Sequence, residues 1–482
     1  MKPSLVAFAR RHLDLLASLA LYGVLYAAWN LAGGTFRVWP DLWQLLPWPP
    51  LVQDLWGSLL DLHGQPPLLN LLFGVALRAA VATGTRLEAW LQPLYFAVGA
   101  ATVAAIASLA VRLVRRPVPR WAAILLFVAN PFFYASLNYL FYTAFELLLL
   151  SVGAVLSFRY LERPGAGRLA AALAPAVLLV YTRSLFHPLW FALLAGLLLL
   201  LGRPRDARRR GALLAVAALL LVAAWPLKNL SRFGFFGFSS WSGLSLARGL
   251  PTGEPLLPSG YPERLAAFAR YSSDPLPPAA ALAAQSRVPP EFRDRPTLAL
   301  LAKPDGSPNW NHYALIPLSR ELGAAAARHL REEPSLLLWK ALDFYLNGYS
   351  LYEARWPYRG DFSPEMTVGH GWASAYEAVV FQRFRPYDPG STRLTTGFAL
   401  LFPVVLGAAA VRLWRRRQSW GPAERTVAVM LFSILWVLAL VLFVDGPEGN
   451  RVRFCTEPYL FLVAAWLLGG RPGEGSGGSP AV

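Results

Sequence analysis

The sequence predicts an all-α polytopic membrane protein with about ten spanning helices and one large loop on the far side of the bilayer. Three observations predict it. Of 482 residues, 55% are apolar and only 15% charged, too apolar for the two or three soluble domains this length would otherwise suggest. Apolar runs recur at the length a bilayer demands: a helix rising about 1.5 Å per residue crosses ~30 Å of hydrocarbon in roughly 20 residues. Basic residues gather in short segments between alternate runs, as they do in cytoplasmic loops.

In chain order the runs cover 13 to 33, 89 to 111, 120 to 137, 141 to 160, 168 to 183, 186 to 202, 211 to 230, 393 to 413, 425 to 445 and 454 to 470. The pair meeting around Thr182 to Pro188 reads as two short spans or as one broken helix. A further apolar stretch, Pro66 to Val81, fits the alternation of sides only if it lies in the outer interface. The chain therefore divides into a membrane module at 1–230 with a first outer loop at 34–88, an outer loop domain at 231–392 that is mostly helical, and a second membrane module at 393–470. The Gly- and Ser-rich tail at 471–482 carries no structural signal.

The segments assigned to the interior hold 21 of the 45 basic residues in few positions, whereas the loop at 231–392 balances 16 bases against 15 acids. Both termini are then cytoplasmic, and the setting is a bacterial inner membrane. The net charge of +17 is thereby explained without nucleic acid. A basic N-terminus followed by an apolar run without a clear cleavage site reads as an uncleaved first span. The single cysteine, Cys455, excludes an intrachain disulfide and a cysteine-based zinc cluster.

Carboxylates at membrane depth are costly and tend to be retained for a task. On this map Asp41, Asp54 and Asp61 fall in the first outer loop, Glu146 near the outer end of a span, and Asp445, Glu448 and Glu457 around the last outer turn. The cations Arg183, Lys228, Arg451 and Arg453 also fall at outer mouths of helices. An outward-facing polar cavity carrying both signs of charge is expected. A transporter would require polar residues that continue to the cytoplasmic side, and no acid is expected there inside the spans.

Three stretches concentrate this chemistry. The first loop, FRVWPDLWQLLPWPPLVQDLWGSLLDLHGQPPLLNLL, interleaves Trp and Pro with its acids and suits short surface helices. Asp61 and His63, two apart, are read as within reach of a metal or as a proton-transfer pair, against a reading as solvated loop residues. In NPFFYASLNYLFYTAFELLLL, Glu146 is the acid and Asn138, Tyr139 and Tyr142 offer hydrogen-bonding edges, against a reading of the aromatics as packing. In DGPEGNRVRF a guanidinium can meet a phosphate with two parallel donors, against snorkelling or pairing with Asp445 and Glu448. In the large loop, Asn309, Trp310, Asn311 and His312 combine a stacking ring with amide and imidazole groups, suited to sugar or to a packed core.

Asp41, then Asp61-Leu62-His63 and Pro66-Pro67-Leu68, resemble the acidic and His-Pro-Pro loop of protein O-mannosyltransferases. Those enzymes belong to the GT-C superfamily of multispan glycosyltransferases using polyprenyl-phosphate sugars, with the lipid A aminoarabinose and rhizobial lipopolysaccharide sugar transferases. This chain departs by Gly64-Gln65 between His63 and Pro66, and by a lone Asp41 where the family has an acidic pair. The resemblance implies a GT-C-like fold and an inverting transfer from a polyprenyl-phosphate donor to a lipid, glycan or protein acceptor at the outer face. It also implies Asp41, Asp54, Asp61, His63 and Glu146 as catalytic candidates, and Arg451, Arg453, Arg183 and Lys228 as contacts to the donor phosphate. Gln65, Asn138, Tyr142, Trp310 and His312 are the expected acceptor or sugar contacts. No cofactor is specified, and a divalent metal is left open. The rival expectations are a transporter or lipid-linked sugar flippase, and a non-catalytic scaffold for envelope assembly. No Ser/His/Asp triad, phosphate-cradling Gly loop or metal-ligand spacing stands out in the sequence.

Overall fold

The computed structural model describes residues 5–38, 42–202, 205–248, 288–349, 367–383, 396–445 and 449–469. Among these residues the secondary structure is helical, with only isolated bridges in extended pairing. Six helices are long and apolar enough to cross a membrane: His12–Leu31, Glu88–Leu113, Thr143–Glu162, Arg209–Phe233, Phe398–Arg415 and Pro422–Phe443. Helices suit that setting because each satisfies its own backbone donors and acceptors where no water can.

The remaining apolar runs hold shorter or bent helices; counting the bent pair as one broken span, up to seven spans are shown among the described residues, and ten are not. The run 120 to 137 is a pair, α6 (Pro117–Val128) and α7 (Pro131–Leu137), bent by 47°. Pro131 starts a new helix there, and Asn130 caps it by accepting from the Phe132 amide at 3.0 Å. The runs 168 to 183, 186 to 202 and 454 to 470 contain helices of 17, 15 and 13 residues, and the Pro66 to Val81 run contains one of 16. The break at Thr182 to Pro188 is real: the helix Ala166–Thr182 stops at Arg183, and Pro188 starts the next.

For the site, the elements needed are α1 (Leu5–Leu31), α2 (Trp48–Gln53), α3 (Leu55–Asp61), α4 (Leu68–Thr83), α5 (Glu88–Leu113), α8 (Thr143–Glu162), α9 (Ala166–Thr182), α10 (Pro188–Gly202) and α11 (Arg205–Phe233). The loop at 231–392, called the outer loop after its expected side, supplies α12 (Ser242–Arg248), α13 (Pro296–Ala299), α14 (Leu315–Glu332), α15 (Ser335–Phe344) and α16 (Thr367–Tyr376). The C-terminal module supplies α17 (Phe398–Arg415), α18 (Pro422–Leu440), α19 (Gly449–Phe454) and α20 (Glu457–Gly469).

The bundle has a basic end. There Arg412 donates to the Trp466 and Leu467 carbonyls at 2.9 Å each, the Arg116 amide meets the Gly469 carbonyl at 3.4 Å, and Arg120 pairs with Asp14 at 3.0 Å. These contacts gather the start of α1 and α6 with the close of α17 and α20. They also correct the expected acid distribution. Asp14 and Glu424 lie at the basic end, the first paired with Arg120 and the second accepting from the Gly421 amide at 3.1 Å.

At the opposite end, the first outer loop is laced to the turn between α7 and α8. Arg37 and Tyr139 form a parallel bridge, with the Arg37 amide on the Asn138 carbonyl at 2.9 Å. Tyr95 of α5 donates to the Phe141 carbonyl at 2.7 Å and accepts from its amide at 2.9 Å. The large loop adds its own core, in which Leu244, Trp310, Leu315, Leu318 and Leu322 pack together with Trp43 of the first loop against them. Helices α12 and α14 cross at backbone contact: a Cβ on Gly243 would run into the Ser319 carbonyl, so only glycine fits that crossing.

Candidate functional site

Three helix ends meet at the acid-bearing end of the bundle: the start of α8, the close of α9, and the junction of α19 with α20. Glu146, in the first turn of α8, is fully buried and accepts from Arg183 at 3.3 and 3.4 Å. Arg183 also lies over the Tyr142 ring at 4.8 Å. Arg451 donates to the Tyr142 hydroxyl at 3.2 Å and lies over the Phe141 ring at 4.7 Å. Two guanidinium groups therefore share one phenol, one against its face and one on its oxygen. Burying either charge alone would cost several kcal/mol, so pairing and ring contact are conditions for placing them here.

Arg453 and Glu457 form a second pair, and it is more fully committed. Arg453 donates from Nε at 3.0 Å and Nη2 at 2.8 Å to one Glu457 oxygen, and Asn130 donates to the other at 3.0 Å. The remaining Arg453 terminal nitrogen donates to the Tyr349 carbonyl, and its guanidinium lies over Phe381 and Phe398 at 4.7 and 4.8 Å. This pair ties α20 to the α7 cap and to the outer loop. Of the phosphate candidates, Arg183 and Arg451 form one group with Glu146 and Tyr142, while Arg453 works as a tie beside it.

Lys228 belongs elsewhere. It donates to the Leu62 carbonyl at 2.5 Å and the Leu60 carbonyl at 3.3 Å and stacks on Trp225 at 3.8 Å. It sits in a joint that fastens the first outer loop to α11 and the large loop. Asp61 pairs with Arg232 and accepts from Thr297 at 2.9 Å. His63 meets Ser240 through Nδ1 at 2.8 Å, so Asp61 and His63 face separate partners and form no proton-transfer pair. Asn311 closes the joint: its oxygen accepts from the His63 and Gly64 amides at 2.8 and 3.0 Å, and its nitrogen donates to the Asp61 carbonyl at 3.0 Å. Burial and the charge of Lys228 push the His63 imidazole down to about 3, so it stays neutral at ordinary pH.

The other candidates have local duties. Asp54 is exposed and caps α3 by accepting from the Gly57 amide at 2.9 Å. Trp310 is packed between Trp43 and Trp241, with ring centroids at 4.9 and 5.2 Å, inside the outer loop core. His312 accepts from the Ala314 amide at 3.1 Å, and burial lowers its pKa. Asn138 is buried and donates to the Tyr134 carbonyl at 3.0 Å. Gln65 is half-buried. Asp41 and Glu448 lie outside the described residues, and Asp445 closes the π turn Val441–Asp445. Sequence reading alone did not single out Arg232, Ser240, Thr297 or Asn130. Arg232 stands four residues after Lys228, one helical turn on, and an Asn-Pro helix start marks Asn130.

Among the described residues no three His, Cys, Asp or Glu side chains converge as a metal set would. No protein-family model matches the chain, and no curated protein matches it.

Proposed function

We propose that the protein is a membrane glycosyltransferase of GT-C type, moving a sugar from a polyprenyl-phosphate donor to a lipid, glycan or protein acceptor at the end of the bundle opposite the arginine-rich loops. The observation that carries this reading is the buried group of Glu146, Arg183, Tyr142 and Arg451 at that end. In the proposed step an acceptor oxygen attacks the anomeric carbon and the bond from that carbon to the phosphate oxygen breaks. Polyprenyl phosphate departs with inversion, and the acceptor proton passes to Asp41. Arg451 and Arg183 offset the charge that grows on the departing phosphate, and Glu146 holds Arg183 in place. The outer face of a bacterial inner membrane, with both termini cytoplasmic, is the setting this reading requires.

A passage through the membrane is less well supported. Thr102, Ser433 and Thr426 each donate to a carbonyl four residues back on their own helix, at 2.8, 3.2 and 2.8 Å. Those hydroxyls serve their helices and do not form a polar path between the two ends. The test is Asp41→Asn with purified protein in nanodiscs and a panel of polyprenyl-phosphate sugars. General base catalysis contributes about 10² to 10⁴ in rate, so transfer should fall by that factor with donor binding retained. Unchanged transfer removes Asp41 from the role of base, and absence of transfer by the wild-type chain with every donor counts against the reading itself.

A further inference from the structure

Two consecutive helices of the outer loop present opposite kinds of surface. Helix α14 turns Arg320, Glu321 and Arg328 outward and packs its apolar side into the loop core, as a helix beside water does. Helix α15 does the reverse. Leu338, Trp339 and Leu342 are 72%, 63% and 43% exposed, while Lys340 and Phe344 are buried. Positions 338 and 342 lie one turn apart with 339 beside them, so the exposed residues form one face.

The buried side of α15 fixes its level relative to the bundle. Lys340 donates to the Phe443 carbonyl at 3.4 Å, in the π turn that continues α18. Just past α15, Tyr345 donates to the Ala399 carbonyl at 2.5 Å, in the first turn of α17. Both α17 and α18 belong to the span-length helices, and both expose apolar side chains, including Leu400, Val404 and Leu435. With its buried side on the ends of two spans, α15 turns Leu338, Trp339 and Leu342 outward at the level where the exposed apolar surface of α17 and α18 ends.

We propose that α15 is an interfacial helix whose Leu338, Trp339 and Leu342 insert into the lipid leaflet at the acid-bearing end of the bundle. The occupant is the bilayer that holds the spans. Continuity with the exposed faces of α17 and α18 argues for lipid, and so does an indole at the boundary, where an amphipathic ring is favoured. The charged face of α14 stays in water, so the two helices mark the membrane boundary between them. Glu332 and Glu333, both exposed, stand where the surface changes character.

The test uses the one-cysteine composition of the chain. Cys455 is buried, so wild-type protein supplies the labelling blank. Single cysteines at Leu338, Trp339 and Leu342, and control cysteines at Arg320 and Arg328, receive a nitroxide label in nanodiscs of phosphatidylethanolamine and phosphatidylglycerol. Collision with oxygen, which concentrates in lipid, is compared with collision with a water-soluble nickel chelate. The ratio of oxygen to nickel collision is expected to be at least several-fold higher at 338, 339 and 342 than at 320 and 328. Equal ratios at the two sets would overturn the proposal by placing α15 in water. Protection of 338, 339 and 342 from both reagents would overturn it by placing another protein surface on that face. Neither readout depends on catalytic activity.

Discussion

The bundle-end group and the outer-loop joint both bury charged side chains that sequence reading assigned to a single site, yet they use those charges differently. In the joint, Lys228 ends on backbone carbonyls, Asn311 on backbone amides, and Asp61 on Arg232 and Thr297. Such partners belong to the fold, and satisfying them fastens one segment to another. In the bundle-end group, Glu146, Arg183, Tyr142 and Arg451 meet through their side chains, on elements that come from three regions of the chain. Buried charge is thus a weak guide to a site until its partner is known. Lys228, held by backbone carbonyls, and Arg453, spent on Glu457 and the Tyr349 carbonyl, are fastenings, whereas Arg183 and Arg451 converge on one phenol and can be rearranged around a ligand's charge.

The largest effect that would sharpen this contrast comes from breaking the Glu146 pair. Arg183→Ala leaves a buried carboxylate without its cation and is expected to lower stability by about 3 to 5 kcal/mol, read as a fall in the unfolding temperature in detergent. The double variant Glu146→Gln with Arg183→Met should recover most of that stability and still fail to transfer sugar. Recovery of transfer along with stability would place the pair among the fastenings.

Of comparable size is Asn311→Ala. It leaves the amides of His63 and Gly64 and the carbonyl of Asp61 without their partner, at about 1 to 3 kcal/mol for each buried group left unmet. Limited proteolysis should cut the outer loop faster while the spans stay folded. An unchanged cleavage pattern would mean that the joint does not fasten the loop.

Acid should loosen the same joint. The folded pKa of His63, about 3, lies below its ordinary value of 6.5, so the unfolded chain binds more protons between those values. His63 therefore withdraws stability as pH falls below about 6.5, by about 2 kcal/mol at pH 5. Protease sensitivity of the outer loop should rise over that range, and His63→Gln should flatten the rise. A rise of the same steepness in His63→Gln would assign the acid response to other groups, among them His312, whose pKa burial also lowers. The smallest effect belongs to Asp54→Ala, which removes a helix cap worth about 1 kcal/mol and should leave transfer unchanged.

Much of the architecture was legible because hydropathy and arginine placement report on the same solvent. The six span-length helices coincide with six of the apolar runs, and the Thr182 to Pro188 break stands where Pro188 requires it. Less legible was the length of the helices between turns. In 120 to 137 and 454 to 470 the breaks rest on Asn130-Pro131 and on Thr456-Glu457-Pro458, too few polar residues to interrupt a long apolar run. Of the site, Glu146 and the arginines were visible as charges at helix mouths. Their pairing was not, because Glu146 and Arg183 stand 37 residues apart and meet only through the packing of α8 on α9. Trp310 and His312 carried the residue types of a sugar contact, but nothing in their local sequence shows that Trp43 and Trp241 enclose the ring.

The most direct test of the central claim is release of polyprenyl phosphate from a polyprenyl-phosphate sugar by purified protein in nanodiscs supplied with an envelope extract as acceptor, comparing wild type with Arg451→Gln and Asp54→Ala. Wild type and Asp54→Ala should release it at equal rates, and Arg451→Gln should release it at least about 100-fold more slowly at matched unfolding temperature, the loss typical of one charge-stabilising donor. Release by Arg451→Gln at the wild-type rate would contradict the assignment of the bundle-end group to the donor phosphate.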